Sequence, residues 1–191
     1  MTNQPPTSSQ TVGPFFHDCL LCADLDRKVL APPETVGQRI SIEGRVWDGD
    51  RQAVPDAVLE IWQADHRGHY NRHSEPADLQ SHPFNGFGRT GTDREGVYSF
   101  ETIKPGRVPF DDNTLQSPHI CMAVFARGLL NHLYTRIYFA DEPANADDPV
   151  LLCVPVERRP TLLAQRYDVE RFAYRFDIIL QGAQETVFFN I

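Results

Sequence analysis

Two residues of metal-binding type stand two apart in SPHICMAVFARG, residues 117–128: His119 and Cys121. If that stretch is a strand, both side chains leave the same face, because side chains alternate along an extended chain. An imidazole suits many transition metals, whereas a thiolate is soft and matches a hard, oxidised ion poorly. His66, His69 and His73 approximate the spacing of one helix face, but Gly68 between them and the lack of an apolar period predict a solvated loop. The segment HDCLLC offers His17, Cys19 and Cys22 in a C-x2-C. A structural zinc site would need a fourth ligand, usually from a second such pair, and a redox dithiol would follow a strand in a βαβ unit. Neither context is present, so packing thiols are expected. No G-x-S-x-G elbow and no glycine-rich strand-to-helix loop occurs, which leaves hydrolase and nucleotide-binding chemistry without a foothold.

The elements that must position these groups are strands. RISIEGRVWDGD alternates, with Ile40, Ile42 and Val46 on one face and Ser41, Glu43 and Arg45 on the other, and closes on an Asp-Gly turn. The same pattern predicts strands over 57–65, 96–103, 119–127, 133–140, 172–180 and 186–191, separated by Gly, Pro and Asp turns. Such a series points to an all-β fold, an antiparallel β-sandwich core with an N-terminal arm and long loops. Helical pattern is scarce: 159–167 could give two turns and 17–25 one or two. Residues 66–94 form a long polar loop with four of the seven histidines and with Gly86, Gly88 and Gly91, a combination that favours a functional loop. FARGLLNHLYTRIYF reads as a hairpin carrying Arg127 and Arg136. An arginine inside an apolar strand needs a carboxylate from the protein or from a ligand, because an unpaired buried charge is costly.

At 191 residues, with 41% apolar composition, the chain has enough for one substantial core. Residues 1–13, rich in Ser, Thr, Pro and Gln, are expected to form an arm, and 14–191 the folded domain. A formal charge of −8 and a pI near 5.3 argue against nucleic acid or a membrane surface as partner. The absence of a long apolar run or a signal-peptide pattern leads to the expectation of a soluble, cytoplasmic protein. Four cysteines do not make a disulfide scaffold, and Cys121 and Cys153, in apolar stretches, are expected to be reduced and buried.

The segments SQTVGPFFH (9–17), VPDAVLEIWQAD (54–65), GHY (68–70), FNGFGRTGTD (84–93), GVYSFETIKPG (96–106), PHI (118–120), TRIYF (135–139), RRPTLLA (158–164) and ETVFFNI together resemble, in order and spacing over nearly the whole chain, the intradiol ring-cleavage dioxygenases. The resemblance implies a β-sandwich core and a non-haem ferric ion held by two tyrosinates and two histidines, a hard donor set suited to Fe(III). It also implies opening of a catechol ring between its two oxygen-bearing carbons, with both atoms of O2 inserted. Carried over by position, the first tyrosine falls on Tyr70 and the second on Val108, where no phenol exists. The first histidine falls on His119 and the second on Cys121. Two of the four ligands are missing, so these positions are expected to be vestigial and the chain to hold no metal.

Within the family, FARG followed by TRIYF and the short chain look most like the α-type subunit of the hetero-oligomeric members. That likeness implies a homologous iron-bearing β subunit as partner, Fe(III) held by that partner, and protocatechuate and O2 as substrates at a shared interface. It also implies that no catalytic residue lies in this chain alone, and that Thr11, Gly13, Pro14 and Arg127 line the interface site, with Arg127 near the substrate carboxylate or in an ion pair with the partner. The competing readings are a self-sufficient catechol-type enzyme with an altered ligand set and a β-sandwich that binds an aromatic acid without chemistry.

Overall fold

A computed structural model describes residues 7–13, 15–22, 25–71 and 84–190. A short helix, α1 (Phe15–Leu20), follows the arm and leads to the first long strand, β1 (Arg39–Trp47). β1 forms where the sequence alternates: Ile40, Ile42 and Val46 are buried, while Arg39 and Arg45 are exposed. Then follow β2 (Val58–Gln63), β3 (Phe87–Gly91), β4 (Val97–Ile103), a hairpin of β5 (Val108–Pro109) and β6 (Leu115–Gln116), β7 (His119–Phe125) and β8 (Leu133–Phe139). A four-residue helix, α2 (Pro149–Leu152), precedes β9 (Leu163–Asp168), β10 (Ala173–Arg175) and β11 (Ile178–Ile179).

One path of hydrogen-bonded strands runs β11-β1-β10-β9-β8-β7-β2-β3, with β4 on the other edge of β1. It curls so that Ile42 and Val46 of β1 and Phe100 of β4 meet Leu59 and Ile61 of β2, Ile120, Met122 and Val124 of β7, and Ile137 and Phe139 of β8 in one core. Each fully buried residue of this size contributes about 1.5–3 kcal/mol of burial free energy. The sandwich is mainly antiparallel, but β1 runs parallel to β10 and β11, and β8 parallel to β9.

Several expectations are corrected. Residues 159–167 do not form a helix: Arg159–Leu162 make one tight turn, and the chain then enters β9, whose pairing with β8 and β10 prevails over a weak helical pattern. The predicted strand 172–180 is broken at Phe176-Asp177, and of the predicted strand 186–191 the described residues, 186–190, contribute only a bridge from Phe189 to Tyr134. The glycine-rich stretch of the long loop holds β3, tolerated because a side chain at Gly88 would collide with Leu30. Cys19, Cys22 and Cys153 are exposed and not packed. Among the described residues, no helix is long and apolar enough to cross a membrane.

Candidate functional site

The positions singled out by sequence gather at the two ends of β7. At its start, His119 and Cys121 share the outer face of the sheet, with Tyr70 beside Cys121, and Val108 lies in β5 against the turn that carries Tyr70. Tyr70 is placed by a tight turn: the Asp65 carboxylate accepts from the backbone N–H of Arg67 (2.8 Å) and His69 (2.9 Å), and Gly68 takes a positive φ of 85°. A Cβ at Gly68 would lie 1.8 Å from the carbonyl oxygen of Arg107, so only glycine lets GHY lie against the β5 segment that carries Val108. Register then does the rest: Trp62, Cys121 and Arg136 stand in one row across β2, β7 and β8, with His119 paired to Tyr138 beside them.

The chemistry of this end is that of neutral donors around one cation. His119 is 1% exposed, and one ring nitrogen lies 2.8 Å from the Ser117 carbonyl oxygen. Burial, with the Arg136 charge nearby, pulls its pKa down to about 4, so the ring is neutral at physiological pH. Burial, with the Cys121 thiol nearby, pushes the Tyr70 pKa up to about 12. Burial likewise raises the Cys121 thiol. Arg136 donates from Nη1 to Gln116 Oε1 at 2.7 Å and to the Tyr138 hydroxyl at 3.3 Å. Tyr138 in turn donates to Asp148, whose buried carboxylate also accepts from the backbone N–H of Ser117, Val150 and Leu151. Neither Asp148 nor this role of Arg136 was foreseen; a strand arginine in TRIYF was the signal available.

This donor set does not fit a ferric ion. Val108 offers no ligand atom and is buried, the phenol and thiol are held protonated, and a guanidinium stands beside them. Among the described residues, no group of three or more His, Cys, Asp or Glu side chains has the arrangement of a metal site. His66, His69 and Tyr70 line a cleft of about 430 Å³ with Asp65 and Phe84, and His69 is exposed there as expected; His73 lies outside the described residues.

At the other end of β7, the arm meets Arg127. Thr11 Oγ1 accepts from the Gly128 backbone N–H at 2.8 Å, and Phe16 of α1 packs on Phe125 with ring centroids 5.5 Å apart. Arg127 does not sit in an apolar strand: β7 ends at Phe125, and the Arg127 side chain is 57% exposed in an ion pair with Asp56. The cost of a buried unpaired charge therefore does not arise there. Gly13 is exposed, with open space around its Cα, while Pro14 lies outside the described residues. About eight residues of extended chain, roughly 25 Å, separate His119 from Arg127.

Fold and sites define a class. A family model described as "Dioxygenase" matches residues 12–182, and the chain belongs to the intradiol ring-cleavage dioxygenases, a non-haem iron family. The chain is 42% identical to the protocatechuate 3,4-dioxygenase alpha chain of Burkholderia cepacia, over the full length of both. It is 32% identical to the beta chain of the same organism, over 95% of this chain and 78% of that one. Among solved structures, a dioxygenase domain from Streptomyces sp. SirexAA-E superposes with a TM-score of 0.65 at 26% identity, covering 82% of this chain and 88% of that domain.

Proposed function

We propose that this chain is the iron-free α subunit of a protocatechuate 3,4-dioxygenase. Paired with a homologous iron-bearing β subunit, it completes a site that uses O2 to open protocatechuate between its hydroxyl-bearing carbons, giving 3-carboxy-cis,cis-muconate. The observation that carries the reading is the conjunction of full-length likeness to an alpha chain with a ligand set reduced to Tyr70 and His119 beside Arg136. A chain unable to hold the ion keeps its place in such an enzyme by shaping its partner's site.

In that role the arm end does the work. Thr11, Gly13, Pro14 and Arg127 form the wall presented to the partner. Arg127 supplies positive charge to the substrate carboxylate by exchanging its Asp56 partner for the ligand, and Thr11, tied to Gly128, holds the arm beside it. Assembly orders an arm that has little to bury by itself. The protein is expected in the cytoplasm, as an αβ hetero-oligomer.

The test is iron content and protocatechuate-dependent O2 uptake for the chain expressed alone and with its iron-bearing partner. Iron and activity only in the co-expressed complex are expected. Stoichiometric iron in the lone chain would overturn the reading, in favour of a self-sufficient enzyme with an altered ligand set.

A further inference from the structure

The arm and the connection 126–132 between β7 and β8 carry the arm-end wall between them, and two fastenings join them. At one, the Gly128 backbone N–H donates to Thr11 Oγ1 at 2.8 Å, with Gly128 held at a φ of 86°. At the other, Phe16 closes the first turn of α1 by donating its backbone N–H to the Gly13 carbonyl at 3.1 Å. Its ring packs on Phe125, the last residue of β7, with centroids 5.5 Å apart. Near these fastenings the arm stands off the connection: a cavity of about 210 Å³ is lined by Gln10 and Val12 on one side and by Leu129 and Leu130 on the other. Where the two surfaces are not packed continuously, the fastenings decide where the arm lies.

The second fastening does not end at Phe125. His132, the last residue of the connection, stacks its ring on Phe125 with centroids 5.2 Å apart and planes 27° from parallel, and meets the Tyr134 ring edge-on at 4.5 Å. Tyr134 is set in the sheet: it pairs with Ala123 of β7, and its carbonyl accepts from the Phe189 backbone N–H at 2.7 Å. The rings of Phe16, Phe125, His132 and Tyr134 therefore form a column that runs from the turn closing on Gly13 to a paired strand. Stacked and edge-to-face rings at such separations attract beyond their buried area, so each ring fixes the next. His132 is exposed and also lines the cavity, so its loss would widen the gap beneath the arm.

We propose that His132 is a positioning residue for the site this chain completes: its ring, braced by Tyr134, props Phe125 against Phe16 and so fixes where the arm holds Thr11 and Gly13. It acts through the column and touches neither substrate nor iron. Arg127 lies on the same connection but outside the column, tied to Asp56, so His132 governs the arm and not the arginine. The proposal rests on the reading that the arm end is presented to the iron-bearing partner.

The test is steady-state O2 uptake by the assembled αβ complex at matched iron, with protocatechuate and with catechol. His132→Ala removes both ring contacts and should raise KM for both substrates about 2- to 12-fold, the equivalent of one aromatic pair, with kcat and melting temperature little changed. His132→Phe keeps the ring and should stay within about twofold of the native KM. Phe16→Ala should reproduce the loss, and the double variant should lose no more than either alone, because the two rings act through one column. If His132→Ala does not assemble, His132→Leu, which keeps bulk without a ring, carries the same expectation. A KM that responds to Arg127→Ala but not to His132→Ala would overturn this proposal alone. So would additive losses in the double variant, a His132→Phe as impaired as His132→Ala, or a loss confined to protocatechuate, which would place the effect on Arg127. An unchanged KM in the Arg127, Phe16 and His132 variants together would overturn the reading beneath it.

Discussion

Replacing Arg127 by Ala separates a structural from a substrate role, because the two differ in size. The side chain is 57% exposed and its partner Asp56 20%, so their ion pair is a surface pair worth about 0.2–1 kcal/mol. A charge-assisted hydrogen bond to a substrate carboxylate is worth about 1.5–3 kcal/mol. If Arg127 leaves Asp56 to meet the substrate, the net gain is about 0.5–2.8 kcal/mol, or roughly 2- to 100-fold in affinity. In the assembled enzyme, Arg127→Ala should therefore raise the KM for protocatechuate by that factor, with iron content unchanged and a melting temperature lowered by no more than a few degrees. Catechol, which lacks the carboxylate, is the control: its kcat/KM should respond little. The assay is steady-state O2 uptake at matched iron. An unchanged KM for protocatechuate, or an equal loss with catechol, would refute the substrate role and leave Arg127 as a surface or interface pair.

Other outcomes follow from the Tyr70 end. Asp148→Ala strips four donors of a fully buried acceptor and should cost about 3–5 kcal/mol, read by urea unfolding of the complex. Because the folded protein holds His119 near 4 while an unfolded histidine titrates near 6.5, the unfolded state binds more protons between those values. Stability should thus be fully present above pH 6.5 and fall by about 3 kcal/mol as pH drops to 4, a slope that His119→Gln should flatten in urea titrations across that range. In thiol titration with a disulfide reagent, Cys19, Cys22 and Cys153 should react first, and Cys121, half-buried and with a raised pKa, should lag and accelerate only at alkaline pH. Uniform kinetics for all four would contradict its burial. Gly68→Ala should destabilise the complex, since the added methyl meets the Arg107 carbonyl, and thermal melting would reveal a tolerated change.

Where burial imposes a period of two, the strands were legible: β1, β4, β7 and β8 fall where Ile42, Phe100, Met122 and Ile137 alternate with more exposed residues. The depleted ligand set was legible as well, because identity at Val108 and Cys121 is enough to remove a phenolate and an imidazole. β9 was not, since LAQRYD carries little alternation and owes its shape to a parallel neighbour distant in sequence. Arg127 was misplaced by two residues: a strand boundary decides whether a charge is buried or exposed, and FARG gives no sharp stop signal before its glycine. Asp148 sits in an ADDPV stretch that reads as a loop, and its value as an acceptor comes from Ser117 and Tyr138, which only the fold brings to it.

The parallel pairing of β1 with β10 and β11 also governs how the chain must be made. One edge of β1 is satisfied by β4, within about fifty residues, but the other waits for residues 173–179. At roughly 5–20 residues per second, synthesis leaves that edge open for about 6 to 25 s, a long exposure for a strand bearing Ile40, Ile42 and Val46. Closure of the sandwich therefore comes late, only after residues 173–179 are made, and a nascent chain halted before residue 173 carries an uncovered strand edge that can pair with a neighbouring chain on the same message.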